Sequence, residues 1–112
     1  MAVHGGGFLP GYSGRMDHAW GARDDAHGDL PLPPTTYLRQ VFVDTVVFSS
    51  HQLAYLVALF GPEHILMGSD YPFDMGEYDP VAHVAGIGLN QRDFEAITGG
   101  NAARLLIPAA KA

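Results

Sequence analysis

The feature that most constrains the fold is a pair of short apolar segments separated by one strong helical pattern. Residues 41–48 and 65–69 are rich in β-branched and apolar side chains, and the first segment shows no polar alternation. A strand that is apolar on both faces is typical of a parallel sheet covered by helices. The stretch between them predicts a helix that is capped by Ser49 or Ser50 and stopped by the Gly-Pro pair at 61–62. The order strand, helix, strand therefore predicts an α/β fold with a right-handed crossover.

The remaining elements follow from helical spacing and breaker residues. Helices are predicted over residues 13–23, 35–39, 79–86, 91–98 and 101–106, and the stub of an earlier strand over residues 2–4. Residues 24–34 predict a loop, because Gly28 and three prolines lie within them. Five aromatic side chains are interpreted as core residues: Tyr12, Trp20, Phe42, Phe48 and Phe60.

Composition excludes several classes of protein. A chain of 112 residues with 47% hydrophobic and 16% charged residues suits one folded domain and argues against a disordered protein. The absence of cysteine excludes disulfides and thiolate metal sites, and it indicates a cytoplasmic protein. A net charge of −6, with Lys111 the sole lysine, argues against a nucleic-acid partner. No apolar run approaches the roughly 20 residues of a membrane span, so no membrane association is expected.

Three polar residues lie at or near the carboxyl ends of the candidate strands, where ligands bind in parallel α/β folds. They are His4, Asp44 and Asp70. Asp70 either belongs to a site or caps a turn, and Asp44 either belongs to a site or is a structural aspartate with buried partners. His4 precedes three glycines at 5–7, which would let a ligand or metal approach the backbone closely, but a structural histidine fits the same pattern.

Two arginines have the spacing of one helix face. Arg15 and Arg23 lie eight residues apart, about two helical turns, so both could point towards an anionic ligand. Ion pairing with Asp17, Asp24 or Asp25 explains them equally well.

Six sequence blocks occur in an order that matches one enzyme family. They are His-Gly-Gly-Gly at 4–7, Gly-Arg-Met-Asp at 14–17 leading to Arg23, Tyr-Leu-Arg at 37–39, Val-Asp-Thr-Val-Val-Phe at 43–48, Gly-Ser-Asp-Tyr-Pro-Phe-Asp at 68–74, and Gly-Gly-Asn-Ala-Ala-Arg-Leu-Leu at 99–106. Together they resemble the amidohydrolase-related family of metal-dependent decarboxylases. The last two blocks are specific in combination.

The resemblance implies part of a metal-dependent (β/α)₈ barrel, about strands six to eight. Because such a barrel needs about 250 residues, residues 1–112 are expected to be the C-terminal fragment of one barrel domain. The resemblance implies that Asp70 binds a divalent metal, zinc or alternatively manganese, and that His4 activates metal-bound water and moves protons. It implies that Arg15 and Arg23 hold substrate carboxylates, with Arg15 reaching into the neighbouring subunit of a homodimer. The family's other metal ligands, a His-x-His pair and a further histidine, have no counterpart in the sequence.

The chain is therefore expected to be the C-terminal segment of a decarboxylase. Such an enzyme is a carbon–carbon lyase, and its expected substrate is a small carboxylated unsaturated or aromatic acid. The fragment alone is expected to be inactive. The two arginines favour this reaction over the main alternative, a metal-dependent hydrolase of the same superfamily. A non-catalytic truncated paralogue that acts as an oligomeric interaction subunit is the other alternative.

Overall fold

A computed structural model describes residues 1–108 of the chain. The helices are α1 (Ser13–Ala22), α2 (Asp24–His27), α3 (Pro34–Leu38), α4 (Ser50–Phe60), α5 (Pro80–Ala85), α6 (Gln91–Glu95) and α7 (Asn101–Leu106). The strands are β1 (Val43–Asp44) and β2 (Ile65–Leu66). Short 3₁₀ turns cover His4–Gly6, Pro10–Tyr12 and Pro62–His64, and a π turn covers Ala96–Gly100.

The sheet is parallel, as the apolar segments predict. In the register of β1 and β2, Val43 lies beside Ile65 and Asp44 beside Leu66. Ala2 forms a parallel bridge to Val43 on the opposite side of β1. The predicted first strand is therefore reduced to one bridge, and β1 lies in the middle of the three segments.

The strands are shorter than predicted because turn and side-chain contacts replace the ladder after Thr45, whose N–H still donates to the Leu66 carbonyl at 3.1 Å. The Asp44 carboxylate accepts the Val46 N–H at 3.0 Å, and the Val47 N–H donates to the Thr45 carbonyl at 2.9 Å. The Thr45 hydroxyl also accepts the Gly68 N–H at 3.2 Å. These contacts turn the chain out of the ladder at the carboxyl end of β1.

Helix α4 confirms the helical pattern between the strands. The Ser49 hydroxyl accepts the Gln52 N–H at 3.4 Å, which makes Ser49 the N-cap of the predicted pair. Gly61 ends the helix with a φ of 83°, a value that favours glycine. Leu53 and Phe60 are among the buried residues that pack this helix against the sheet.

Two predictions of local structure are wrong. Residues 24–34 contain helix α2, which has two aspartates in its first turn, where negative charge stabilises a helix, and ends at Gly28. The helix predicted over 91–98 stops at Glu95 and continues as the π turn, which leads directly into α7.

The core lies between the sheet and the helices around it. Its fully and nearly buried members are Leu38, Val43, Leu53, Leu56, Phe60, Ile65, Val84 and Ile97. Asn101 is completely buried and donates from Nδ2 to the carbonyls of Pro62 (2.7 Å) and Ile65 (2.8 Å). This contact gives the Gly-Gly-Asn block a structural role, because it fixes the start of α7 against the start of β2. Within residues 1–108, no helix has the length and apolar character to cross a membrane.

Candidate active site

A pocket of about 340 Å³ opens beyond the carboxyl ends of the strands. Its polar lining comes from His4, Gln52 and Asp70, and its apolar lining includes Val46 and Phe48. This is the edge of a parallel sheet at which ligands bind. Two of the sequence-predicted site residues, His4 and Asp70, therefore share one pocket.

His4 and Asp70 meet across 66 positions of sequence. The His4 Nε2 atom lies 3.5 Å from Asp70 Oδ1, which is at the long limit of a hydrogen bond. The His4 side chain is 59% exposed and that of Asp70 is 26% exposed. Because the contact is long and both side chains line the pocket, each group retains the capacity to bind a ligand.

Asp44 is the residue that holds His4 in place. Its Oδ2 atom accepts the backbone N–H of His4 at 2.9 Å, and its Oδ1 atom accepts that of Gly5 at 2.9 Å as well as that of Val46. Asp44 is 7% exposed, and three N–H donors to one carboxylate satisfy the charge without a cation. Of the two sequence interpretations, the structure favours the satisfied structural aspartate.

Gly5 shows how tightly this turn is packed. It has a φ of 63° and a ψ of 21°, and a Cβ there would clash with Val47 and lie 2.9 Å from Leu56 Cδ1. We expect Gly5→Ala to lower the free energy of unfolding by about 2–4 kcal/mol through strain and overpacking. Gly14, inside α1, is the control, because a Cβ there would meet nothing within 4 Å, and Gly14→Ala is expected to raise the free energy of unfolding by up to about 1 kcal/mol. Urea unfolding of both variants measures the difference, and equal changes would contradict the packing around Gly5.

Left-handed backbone is concentrated at the pocket. Among residues 1–108, the non-glycine residues with positive φ are His4 (53°), Phe48 (57°) and Asp70 (60°), and all of them line the pocket. Each such conformation costs about 1–3 kcal/mol and occurs most often at functional sites. The backbone geometry thus identifies the same place as the polar side chains.

The structure does not bring the two arginines to this pocket. Arg15 lies on α1 beside a separate apolar surface depression that Phe8 and Tyr12 also line. The Arg23 guanidinium is paired with the Asp25 carboxylate, with Nε–Oδ1 and Nη2–Oδ2 distances of 3.0 and 2.9 Å. This hydrogen bonding raises the pKa of Arg23 and lowers the pKa of Asp25. For Arg23, the ion-pair interpretation therefore describes the structure.

Phe48 and Gln52 are among the pocket residues that the sequence did not identify as site residues. Phe48 is 52% exposed and Tyr12 is 55% exposed, so the assignment of both to the core is wrong. Phe48 is the one of the two that lines this pocket. Its position between the end of an apolar strand and the cap of the next helix is a signal that could have identified it, because that junction faces the ligand edge of a parallel sheet.

The donor atoms at the pocket fit a divalent metal in type but not in number. Imidazole nitrogen and carboxylate oxygen bind zinc and manganese. A catalytic zinc usually has three protein ligands, and residues 1–108 contain no group of three or more His, Cys, Asp or Glu side chains that could hold an ion. His4 and Asp70 therefore do not make a complete metal site by themselves.

Comparison with protein families decides the classification. Residues 1–106 match the family model described as amidohydrolase. The chain belongs to the amidohydrolase family. The resemblance carried by the six sequence blocks is thereby confirmed.

Several relatives of this amidohydrolase chain are decarboxylases. It is 35% identical over 106 residues to a 2-amino-3-carboxymuconate-6-semialdehyde decarboxylase of Dictyostelium discoideum, a match that covers 93% of the chain and 30% of the relative. The crystal structure of 5-carboxyvanillate decarboxylase from Sphingomonas paucimobilis superposes with a TM-score of 0.79 at 28% identity and covers 92% of the chain and 32% of that protein. The chain thus spans about a third of the length of these relatives.

A further structure shows the same fold and holds a metal. It is a dihydroxybenzoic acid decarboxylase from Polaromonas, solved with bound manganese and an inhibitor, with a TM-score of 0.69 at 23% identity over 92% of this chain. The match covers 32% of that protein. The fold of residues 1–108 therefore corresponds to about a third of that protein's fold.

Proposed function

We propose that this chain contributes His4 and Asp70 to the active site of a metal-dependent decarboxylase that acts on a small carboxylated unsaturated or aromatic acid. The observation that carries the proposal is the 3.5 Å approach of His4 Nε2 to Asp70 Oδ1 in a pocket at the ligand edge of the sheet. The match of nearly the whole chain to decarboxylases supports the choice of reaction. In this proposal the chain forms about strands six to eight of a (β/α)₈ barrel.

His4 is proposed to carry the proton. Replacement of a carboxylate by hydrogen requires delivery of a proton to the carbon that loses CO₂, and histidine changes protonation state most readily between pH 5 and 8. The Asp44 carboxylate accepts hydrogen bonds from the backbone N–H groups of His4 and Gly5, which holds this turn in place. The imidazole of His4 takes no part in these bonds and lines the pocket. The turn therefore fixes the position of the group that moves the proton.

Asp70 is proposed to be one metal ligand, with the others contributed by protein outside this chain. A divalent metal bound there would lower the pKa of a coordinated water and stabilise negative charge on the substrate. The Asp70 carboxylate is oriented by its position at the end of the segment that follows β2 and by its own left-handed backbone.

Arg15 and Arg23 are proposed to bind substrate carboxylates, and each must first meet one structural condition. Arg23 must first break its ion pair with Asp25. Arg15 lies away from the His4 pocket of its own chain, so it must reach the His4 pocket of another chain. The second condition is met if Arg15 serves the neighbouring subunit of a homodimer. Decarboxylation is preferred over the hydrolase alternative because the relatives named above are decarboxylases.

A chimera tests the proposal. Residues 1–106 would replace the matched segment of the Dictyostelium discoideum relative, and CO₂ release from 2-amino-3-carboxymuconate-6-semialdehyde would be measured before and after chelation with EDTA. We expect chelator-sensitive decarboxylation that zinc or manganese restores. A folded chimera that holds metal but releases no CO₂ would contradict the proposal. If the chimera is inactive in this way and the chain by itself forms a defined oligomer, the non-catalytic alternative is favoured.

A further inference from the structure

We propose that the Phe48 ring is the surface on which the pocket stacks the planar part of its ligand, so that Phe48 determines a preference for aromatic or unsaturated acids over saturated ones. The inference rests on the proposed function for the assumption that the ligand is a carboxylic acid. It adds a specificity-determining residue to the site formed by His4 and Asp70.

The Phe48 side chain is exposed at the pocket. Its neighbour Val46 is only 6% exposed and Leu53, early in the next helix, is fully buried, yet Phe48 is 52% exposed and lines the pocket. Phe48 lies where the chain leaves the buried segment that ends at Val46 and enters the exposed first turn of α4, so its ring lies outside the core. Its apolar surface is therefore available to a ligand.

The backbone of Phe48 has a left-handed conformation. A bulky residue with a φ of 57° is rare, and such a conformation persists only where the surrounding structure holds it. The residues that share this property, His4 and Asp70, line the same pocket. The unusual backbone and the pocket-lining ring therefore occur at the same residue.

The lining of the pocket combines apolar and polar side chains. Val46, Phe48 and Met75 form an apolar lining, while His4, Gln52 and Asp70 provide polar atoms. A single-ring carboxylic acid fits this lining in one orientation, with its ring against the apolar side chains and its carboxylate towards the Gln52 amide, which can donate hydrogen bonds, and away from the like-charged Asp70 carboxylate. The volume of about 340 Å³ lies at the lower end of the range of ligand pockets, which suits one ring rather than two.

Binding of two simple acids to the full chain tests the inference. Benzoate and cyclohexanecarboxylate carry the same charge and the same number of carbon atoms, but only benzoate is planar. Titrations followed by ¹H–¹⁵N NMR spectra are expected to give a dissociation constant about three- to tenfold lower for benzoate, with the largest amide shifts around Phe48 and Gln52. Phe48→Leu is expected to bring the ratio of the two constants close to one, and Phe48→Tyr to retain it.

A matched control separates the ring from general destabilisation. Phe42 lies just before β1, at the opposite end from the pocket, with its ring 4.8 Å from that of His64. Phe42→Leu is expected to leave the ratio unchanged. An unchanged ratio in Phe48→Leu, no preference in the unaltered chain, or no benzoate binding at the pocket would overturn the inference. The test involves no metal and no turnover, so an inactive chimera with a Phe48-dependent preference would refute the decarboxylase proposal alone.

Discussion

Asp70→Asn is expected to reduce metal-dependent decarboxylation by the chimera at least about a hundredfold. Loss of a residue that merely orients a metal ligand costs 10–100-fold, so loss of a ligand itself should cost no less. The substitution removes one anionic oxygen while it preserves the size of the side chain. Initial rates of CO₂ release at saturating metal would measure the effect.

Asp74→Asn is the control for this substitution. Asp74 lies four residues further along the same segment, is exposed and does not line the pocket with His4. The same chemical change there should leave the rate within about twofold of the unaltered chimera. Comparable losses at Asp70 and Asp74 would show that the effect arises from the segment as a whole and not from the proposed ligand.

Asp44→Ala is expected to lower the free energy of unfolding of the chain by about 3–5 kcal/mol. The substitution leaves the N–H groups of His4, Gly5 and Val46 without their acceptor, and each buried unsatisfied donor costs about 1–3 kcal/mol. The sum is smaller than three full penalties, because water can reach part of the vacated space. Urea unfolding followed by circular dichroism would measure the loss.

Asp17→Ala provides the graded comparison for Asp44→Ala. The Asp17 carboxylate accepts one backbone N–H, that of Thr35, at 2.8 Å. We expect a loss of about 1 kcal/mol there, in line with a single hydrogen bond. A loss at Asp44 no larger than that at Asp17 would contradict the role of Asp44 as the anchor of the His4 turn.

The sequence predicts much of the fold because the strongest patterns are local. The apolar run, the Ser49 cap and the Gly-Pro stop at 61–62 lie within one strand–helix unit, and the structure confirms the parallel sheet and helix α4. The lengths of the strands were not predictable in the same way. They are set by the turn contacts of Asp44 and Thr45 with Val46 and Val47, together with the bond from the Gly68 N–H to the Thr45 hydroxyl, which joins segments distant in sequence.

The candidate site was predictable to the extent that it follows from strand ends. His4 and Asp70 were identified by their positions, and the structure brings them together. Phe48 was missed because an aromatic side chain after a buried strand is usually part of the core, and its left-handed backbone, which accompanies its place at the pocket, has no signal in the sequence. The pairing of Arg23 with Asp25 was one of several possible ion pairs, and side-chain spacing alone does not choose among them.

The central claim is that Asp70 holds the metal whereas His4 moves a proton, and metal content tests it most directly. Metal per chain and CO₂ release would be measured together for Asp70→Asn and His4→Gln in the chimera, with His51→Gln, an exposed histidine on α4, as the control. The account predicts that Asp70→Asn loses both metal and activity, that His4→Gln keeps the metal and loses activity, and that His51→Gln keeps both. Retention of full metal content and activity in Asp70→Asn would contradict it.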